Sequence, residues 1–301
     1  MTETEDDSNQ SQGASGNDAS RREFVAWSAA AGLATAAGTA SAAPAAHGEV
    51  VDTDVQIKTG DGMCDAAFIH PARGAHAGVL IWTDIFGLRP AMREFGKRLA
   101  AEGYSVLVPN PFYRTNKAPV VADASTFDFQ DTQARNKLGQ WSSSIREPGA
   151  VARDAQVFVS FLDAQPQVNK AKKIGTQGYC MGGPLVLISA AEVPDRIGAA
   201  ASFHGGNLVT DKPDSPHLLA PKIKARVYFG IAASDDERQT DAKDKLRQAF
   251  GARAEVEVYP GTIHGWCVPD MPQQDGKPIY SKPDAERAWS KLLALYKSAL
   301  V

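Results

Sequence analysis

The sequence has few cysteines and lacks the spacings that hold metals or nucleotides. Its 301 residues include three cysteines, Cys64, Cys180 and Cys267, and no two of them are close in the chain. The patterns C-x-x-C, H-x-H and H-E-x-x-H are missing, which argues against a zinc site and against a vicinal redox pair. The glycine patterns G-x-G-x-x-G and G-x-x-x-x-G-K-[ST] of nucleotide sites are missing too. We therefore expect neither a metal nor another cofactor.

Most of the chain also lacks a charge excess of either sign. The formal net charge is −3, and residues 1–47 hold six of the 35 acidic residues but only two of the 32 basic ones. The rest of the chain is therefore nearly neutral. A neutral chain gives no support for binding to nucleic acid or to an anionic membrane.

Long hydrophobic runs are missing, but the first 47 residues have the features of an export leader. Residues 1–18 are polar and acidic, and residues 20–25 read Ser-Arg-Arg-Glu-Phe-Val, a twin-arginine signature. Residues 26–43 are weakly apolar and short for a membrane span, and Ala40-Ser41-Ala42 fits a signal-peptidase site. We expect a disordered leader plus a signal peptide over residues 1–47, recognised by the twin-arginine export machinery. The mature protein is then periplasmic or extracellular, with no stable membrane span; an alanine-rich helix beside a basic dipeptide is the alternative.

Residues 48–301 alternate between strand and helix patterns. Residues 77–83 form an apolar run typical of a strand buried on both faces of a parallel sheet, and residues 90–102 have helical spacing. Residues 109–144 lack clear periodicity and are expected to form a loop or cap over a site. The alternation predicts one α/β domain with a doubly wound, mostly parallel sheet flanked by helices. Further strands are expected at 51–57, 63–69, 104–108, 197–203, 225–230 and 254–259, and further helices at 151–164, 241–250 and 284–300.

Residues 178–183 form the most informative motif, Gly-Tyr-Cys-Met-Gly-Gly. This is the G-x-nucleophile-x-G form of a nucleophile elbow, with Cys180 in the place of the nucleophile. A candidate strand precedes it, and an apolar segment that opens with Pro184 follows, which is the strand-turn-helix setting that an elbow needs. The backbone N–H of Met181 can then point at a developing oxyanion. The alternative is a glycine-rich turn around a buried, inert cysteine.

A cysteine nucleophile needs a base and a group that orients the base. Of the six histidines, His264 is the best placed, in a loop after the last strand. The acid is expected on the loop after the preceding strand, where Asp235 is the first candidate and Asp236 the second. The order Cys180, Asp235, His264 is the nucleophile-acid-histidine order of α/β-hydrolases. His204, at a strand end, is the rival base, although the chain order favours a pocket or structural role for it.

Together these motifs resemble the dienelactone hydrolase family of α/β-hydrolases, over roughly residues 50–301. The resemblance implies Cys180 as nucleophile, His264 as base and Asp235 as the group that orients the base. It also implies an oxyanion hole formed by the backbone N–H groups of Met181 and Ile85. The matching positions are residues 82–87, 93–94, 103–104, 109, 178–183, 235 and 264–266.

Two positions depart from the family pattern. Family members typically have a glutamate where this chain has Asp84, and that carboxylate pairs with the cysteine thiol in the resting enzyme. The resemblance thus implies Asp84 as the resting-state thiol partner, one methylene shorter than the glutamate, with a helix cap as its alternative role. Dienelactone-specific members also carry an arginine for the substrate carboxylate where this chain has Val268. A substrate without a carboxylate, such as a neutral lactone or aryl ester, fits Val268 better.

The expected function is hydrolysis of a small lactone or activated carboxylic ester, of the carboxymethylenebutenolidase class, through a Cys-His-Asp triad and an acyl-thioester. A non-catalytic exported binding protein on a decayed hydrolase fold is one alternative. A thiol-redox protein that uses Cys180 with Cys64 or Cys267 is another. Cys64 and Cys267 are expected to be buried free thiols, with a disulfide between them as the alternative. Candidate pocket residues, for which core packing is the alternative, are Phe86, Tyr113, Trp141, His204 and Trp266, together with Trp82 and Phe203.

Overall fold

An eight-stranded sheet organises the residues that the structure, a computed structural model, describes: 49–274 and 276–301. Its strands are β1 (Val50–Thr59), β2 (Gly62–Pro71), β3 (Ala77–Trp82), β4 (Tyr104–Pro109), β5 (Ile174–Tyr179), β6 (Ile197–Phe203), β7 (Arg226–Ala232) and β8 (Ala254–Tyr259). They lie in the order β1-β2-β4-β3-β5-β6-β7-β8. Strand β2 is antiparallel to both of its neighbours, and every pair from β4 to β8 is parallel. This is the mostly parallel sheet that the sequence predicts.

Helices cover both faces of this sheet. They are α1 (Pro90–Ala101), α2 (Thr132–Trp141), α3 (Ala150–Ala164), α4 (Gly182–Glu192), α5 (Ala233–Arg238), α6 (Ala242–Phe250) and α7 (Lys282–Ala299). Buried residues of α3, α4 and α6 share one apolar cluster, and those of α1 and α7 share a second. Alternate residues of β3 belong to the two clusters, Leu80 to the first and Val79 to the second, because successive side chains of a strand point to opposite faces. The doubly wound α/β architecture is confirmed.

Residues 109–144 contain more regular structure than the sequence pattern predicts. Helix α2 lies within them, and of its residues only Leu138 is buried, so the helix has no apolar stripe to reveal it. Its start is fixed by Asp131, whose side chain accepts hydrogen bonds from the N–H groups of Gln133 and Ala134. Short 3-10 turns occur at Ala124–Thr126, Ser144–Arg146, Pro216–Lys222 and Gly251–Arg253, and a small two-stranded sheet is formed by β9 (Gln273–Gln274) and β10 (Lys277–Pro278).

All three cysteines are free. Cys64 is buried in the cluster that contains α3 and α4, whereas Cys267 is buried in the cluster on the opposite face of the sheet. Separate faces prevent the two sulfur atoms from pairing. The expectation of buried free thiols is thus confirmed, and the alternative of a Cys64–Cys267 disulfide is wrong. Cys180 differs from both in being half-buried.

The leader predicted over residues 1–47 lies outside the described residues. Among the helices that are described, none combines the length and apolar character needed to cross a bilayer.

Candidate active site

Cys180 occupies a sharp turn between β5 and α4. Its φ of +50° lies in the left-handed region, which costs a residue with a side chain about 1–3 kcal/mol. Hydrogen bonds to the β6 side of the sheet hold this conformation: the Cys180 N–H donates to the carbonyl of Phe203 over 3.1 Å, and the Cys180 carbonyl accepts from Gly206 over 3.2 Å. These two hydrogen bonds therefore hold Cys180 in its strained backbone conformation, as at a nucleophile elbow.

Gly178 and Gly182 let backbone segments approach each other closely beneath this turn. A Cβ atom on Gly178 would lie 2.2 Å from the carbonyl oxygen of Gly182, and one on Gly182 would lie 2.4 Å from that of Trp82. Backbone atoms cannot move aside as the end of a flexible side chain can, so both positions require glycine. This close packing explains the glycines that flank the cysteine in the motif.

His264 and Asp235 meet because they follow adjacent parallel strands. Strand β7 leads into α5, which carries Asp235, and β8 leads into the loop of His264. The His264 N–H donates to Ser234 Oγ over 3.0 Å, which joins the two segments. His264 Nδ1 lies 2.9 Å from Asp235 Oδ2 and 3.1 Å from Oδ1. Asp236, the second candidate for the acid, pairs instead with Lys243 Nζ at 2.7 Å.

The side chain of Cys180 interacts with the His264 ring and favours its charged form. Because Nδ1 faces Asp235, Nε2 is the nitrogen left for the sulfur. Burial favours the neutral ring, but the interactions with Asp235 and with Cys180 outweigh burial and raise the pKa of His264 to about 10. A ring that keeps its proton at neutral pH beside a cysteine is suited to an imidazolium-thiolate pair.

His204, the rival base, packs beside His264 without joining this chain of hydrogen bonds. The two ring centroids are 4.9 Å apart, and the planes are inclined by 74°. His204 is 1% exposed, and neither of its ring nitrogens has a hydrogen-bond partner within the described residues. Burial, and next the charge of His264, lower the pKa of His204 well below its usual value, so this ring is neutral. The structure thus brings Cys180 and Asp235 to His264.

Met181 and Ile85, the residues expected to form the oxyanion hole, line the same cavity as Cys180. Within the described residues, neither N–H donates a hydrogen bond. Two unpaired donors beside a nucleophile are what an oxyanion hole requires.

Asp84 is held by Arg89 rather than by Cys180. Its two carboxylate oxygens accept from the Arg89 guanidinium over 2.7 and 2.9 Å, and Arg89 also donates to Asp270 over 2.7 and 2.8 Å. Burial opposes the charge on Arg89, but the two carboxylates outweigh burial and raise its pKa. No hydrogen bond joins Asp84 to Cys180 in the described part of the chain. The resting-state pairing implied by the resemblance is therefore not the arrangement found, because a buried guanidinium occupies both carboxylate oxygens.

The cavity beside Cys180 has a volume of about 1040 Å³. The five expected pocket residues do not line this cavity; they are Phe86, Tyr113, Trp141, His204 and Trp266. Tyr113 donates to Asp154 over 2.8 Å within the core, and Trp266 stacks on Tyr259 with ring centroids 4.1 Å apart. Phe86 and Trp141 pack together in a small apolar cluster. These four rings pack in the interior, which is the alternative that the sequence analysis gave to a role in the pocket.

Sequence reasoning missed the residues that do line the cavity, most of which belong to α4, to residues 145–152 and to residues 206–222. One signal was available. Apart from Ser189, residues 184–191 are apolar on every side of α4, although a helix on the surface of a sheet normally has one polar face. The described residues contain no cluster of three or more His, Cys, Asp or Glu side chains arranged to hold a metal ion.

The sheet order and the elbow-acid-histidine sequence define an α/β-hydrolase. The pattern of the family described as "Dienelactone hydrolase family" matches residues 64–300, so the chain belongs to the dienelactone hydrolase family and is a hydrolase.

Similar proteins agree with this assignment. The carboxymethylenebutenolidase of Pseudomonas putida is 25% identical over 207 residues, which cover 68% of this chain and 80% of that protein. A Synechocystis protein provisionally named carboxymethylenebutenolidase is 26% identical over 235 residues, covering 76% and 89%. A crystal structure of a Klebsiella pneumoniae protein, provisionally named a dienelactone hydrolase, has a TM-score of 0.68 at 22% identity, with 83% of this chain and 99% of that chain covered. The last similarity shows the fold.

Proposed function

We propose that this protein hydrolyses lactones or activated carboxylic esters, as a carboxymethylenebutenolidase does, with Cys180 as the nucleophile. One observation carries the proposal. Cys180 sits on a strained elbow, its side chain interacts with the ring of His264, and His264 Nδ1 lies 2.9 Å from Asp235. The names of the Pseudomonas and Synechocystis relatives support the same reaction class.

In the proposed mechanism the sulfur of Cys180 attacks the carbonyl carbon while His264 holds the thiol proton. The negative charge that develops on the carbonyl oxygen is held by the N–H groups of Met181 and Ile85, and loss of one such donor typically costs about 3 kcal/mol of transition-state stabilisation. As the carbon–oxygen bond breaks, His264 gives its proton to the leaving alkoxide, and an acyl-thioester remains. Water, deprotonated by His264, then attacks the thioester and releases the acid and the thiolate.

The surroundings of the site support a substrate without a carboxylate. Val268, at the position where the dienelactone-specific pattern has an arginine, is fully buried and apolar. Arg89, four residues after Ile85, is already paired with two carboxylates and is itself 1% exposed. A neutral lactone or an aryl ester meets these conditions.

Hydrolysis of p-nitrophenyl acetate by the purified protein tests the nucleophile. Replacement Cys180→Ala removes the attacking sulfur, so we expect kcat to fall by at least roughly a thousandfold. Cys64→Ala is the matched control, because this thiol is buried in the core and its loss should leave kcat within about twofold. Undiminished turnover by Cys180→Ala would end the nucleophile assignment. A wild-type protein that neither turns over esters nor is labelled at Cys180 by iodoacetamide would favour the non-catalytic binding protein.

We also propose that residues 1–47 direct export by the twin-arginine route, so that the enzyme acts in the periplasm or outside the cell. The paired arginines at 21 and 22, the weakly apolar run after them and the Ala-Ser-Ala sequence at 40–42 support this proposal in their order along the chain.

A further inference from the structure

The cavity beside Cys180 follows the length of helix α4. Met181, Pro184, Leu185, Ile188 and Ala191 all line it. Their spacing of three and four residues places them on one face of the helix. From the first to the last of them the helix rises by about 15 Å. We call this part of the cavity the α4 groove; it begins at the nucleophile and continues towards the far end of the helix.

Segments other than α4 also contribute apolar side chains to the cavity. Ile145, Val151 and Leu219 are among its lining residues. Charged side chains that line the cavity are all exposed, so they lie at its rim, and the two signs are equal in number: Arg146, Lys212 and Lys222 against Glu147, Glu192 and Asp214. A balanced rim over an apolar interior selects a neutral, apolar group rather than an anion.

The position of His264 shows which part of an ester would enter this groove. Neither His264 nor Asp235 is among the described residues that line the cavity, whereas Ile85 and Met181 both are. A leaving alcohol must lie within hydrogen-bond reach of His264 to receive its proton. The leaving group therefore lies on the histidine side of the sulfur, and the acyl group extends the other way, along α4.

We propose that the α4 groove binds an extended apolar acyl chain of roughly eight to twelve carbon atoms, the length that about 15 Å of helix accommodates. This inference rests on the proposed function, since it needs Cys180 as the nucleophile. The preferred substrates are then esters of medium-chain carboxylic acids. The cavity volume of about 1040 Å³ agrees with a chain of this length. Pockets for drug-sized ligands measure roughly 300–1,000 Å³, so this cavity has room for a ligand much larger than a small lactone.

A series of p-nitrophenyl esters, from acetate through butanoate and octanoate to decanoate, varies the acyl chain while the leaving group stays constant. Each methylene that leaves water raises kcat/KM by up to roughly fourfold. Because the groove is partly open, we expect about twofold per methylene, and thus at least fiftyfold from acetate to octanoate. A value of kcat/KM that is flat or falls along the series overturns the proposal.

Variants of the groove provide a second measurement. Ala191→Trp fills the far end, since a helical side chain leans towards the N-terminus of its helix and so towards Cys180. Leu219→Asp places a charge in the cavity lining outside α4. Each should lower the ratio of kcat/KM for decanoate to that for butanoate at least tenfold. The matched control is Leu218→Asp at the neighbouring, 53% exposed position outside the cavity lining, which should leave the ratio unchanged.

The outcomes separate this inference from the proposed function. Butanoate hydrolysis that persists in Cys180→Ala contradicts both. The acyl-chain inference alone is contradicted if hydrolysis depends on Cys180 but kcat/KM does not rise with chain length. It is also contradicted if Leu218→Asp and Leu219→Asp lower the decanoate-to-butanoate ratio of kcat/KM equally.

Discussion

At the scale of single residues, the charge on His264 is set by its neighbours on two sides. The carboxylate of Asp235 faces one ring nitrogen and the sulfur of Cys180 the other, and both stabilise the imidazolium. His204 packs against the same ring, but its own burial keeps it neutral, so it adds no repulsion. A protonated His264 can donate its proton to a leaving group without first taking one from bulk water.

The protonation of His264 should be visible by NMR. With a pKa of about 10, its imidazole nitrogens should show the charged form through neutral pH and titrate near pH 10. The folded value lies above the ordinary 6.5, so the ring stabilises the fold fully below about pH 6.5, and this contribution is lost as the pH rises through about 10. Cys180→Ala removes one partner and should move the titration to lower pH, whereas Cys64→Ala should not. A wild-type His264 that titrates near 6.5 would contradict this charge state.

At the scale of elements, Arg89 joins two segments that are far apart in the sequence. It precedes α1 and pairs with Asp84 in the loop after β3, which also carries the Ile85 N–H. It pairs as well with Asp270, six residues beyond His264. One buried guanidinium thereby fixes the loop of Ile85, the proposed oxyanion donor, and the histidine loop relative to each other.

Arg89→Met should therefore reduce both stability and turnover. Two carboxylates lose their partner, and breaking a buried ion pair typically costs about 3–5 kcal/mol of unfolding free energy. We expect kcat for p-nitrophenyl acetate to fall at least tenfold, because the Ile85 N–H is no longer held in place. Urea denaturation gives the free energy. Arg93→Met, which removes a partly exposed arginine with two aspartate partners, is the matched control and should cost about 1 kcal/mol or less. Equal losses in the two variants would contradict a special role for Arg89.

At the scale of the whole molecule, the sequence predicts what depends on local pattern or on strand order. Apolar runs such as that of β3 are recognisable alone, and Asp235 and His264 meet because neighbouring parallel strands end at the same edge of the sheet. Pairings across the chain are not recognisable in this way. Arg89 and Asp270 are 181 residues apart, so their pairing could not be foreseen. An aromatic residue type likewise does not reveal where its ring points, and Trp266 proved to be fully buried.

The export proposal also concerns the chain as a whole. Replacing both leader arginines, Arg21→Lys with Arg22→Lys, should leave most of the esterase activity in the cytoplasm of a bacterial host that has the twin-arginine machinery. Fractionation of periplasm from cytoplasm measures this. Arg73→Lys, on an exposed turn of the domain, is the matched control and should be exported like the wild type. Export of the double variant at the wild-type level would refute the assignment of the leader.

The three thiols differ in burial, and this difference allows the active fraction of a preparation to be measured on the protein itself. Cys64 and Cys267 are enclosed on opposite faces of the sheet, while Cys180 is partly open to the solvent. If Cys180 is the nucleophile, a thiol reagent applied to the folded protein should therefore act as an active-site titrant and consume one equivalent per competent molecule. The same reagent after unfolding consumes three, one for each free cysteine. Comparison of the two counts gives the fraction of competent molecules in any preparation, so rates can be expressed per working site.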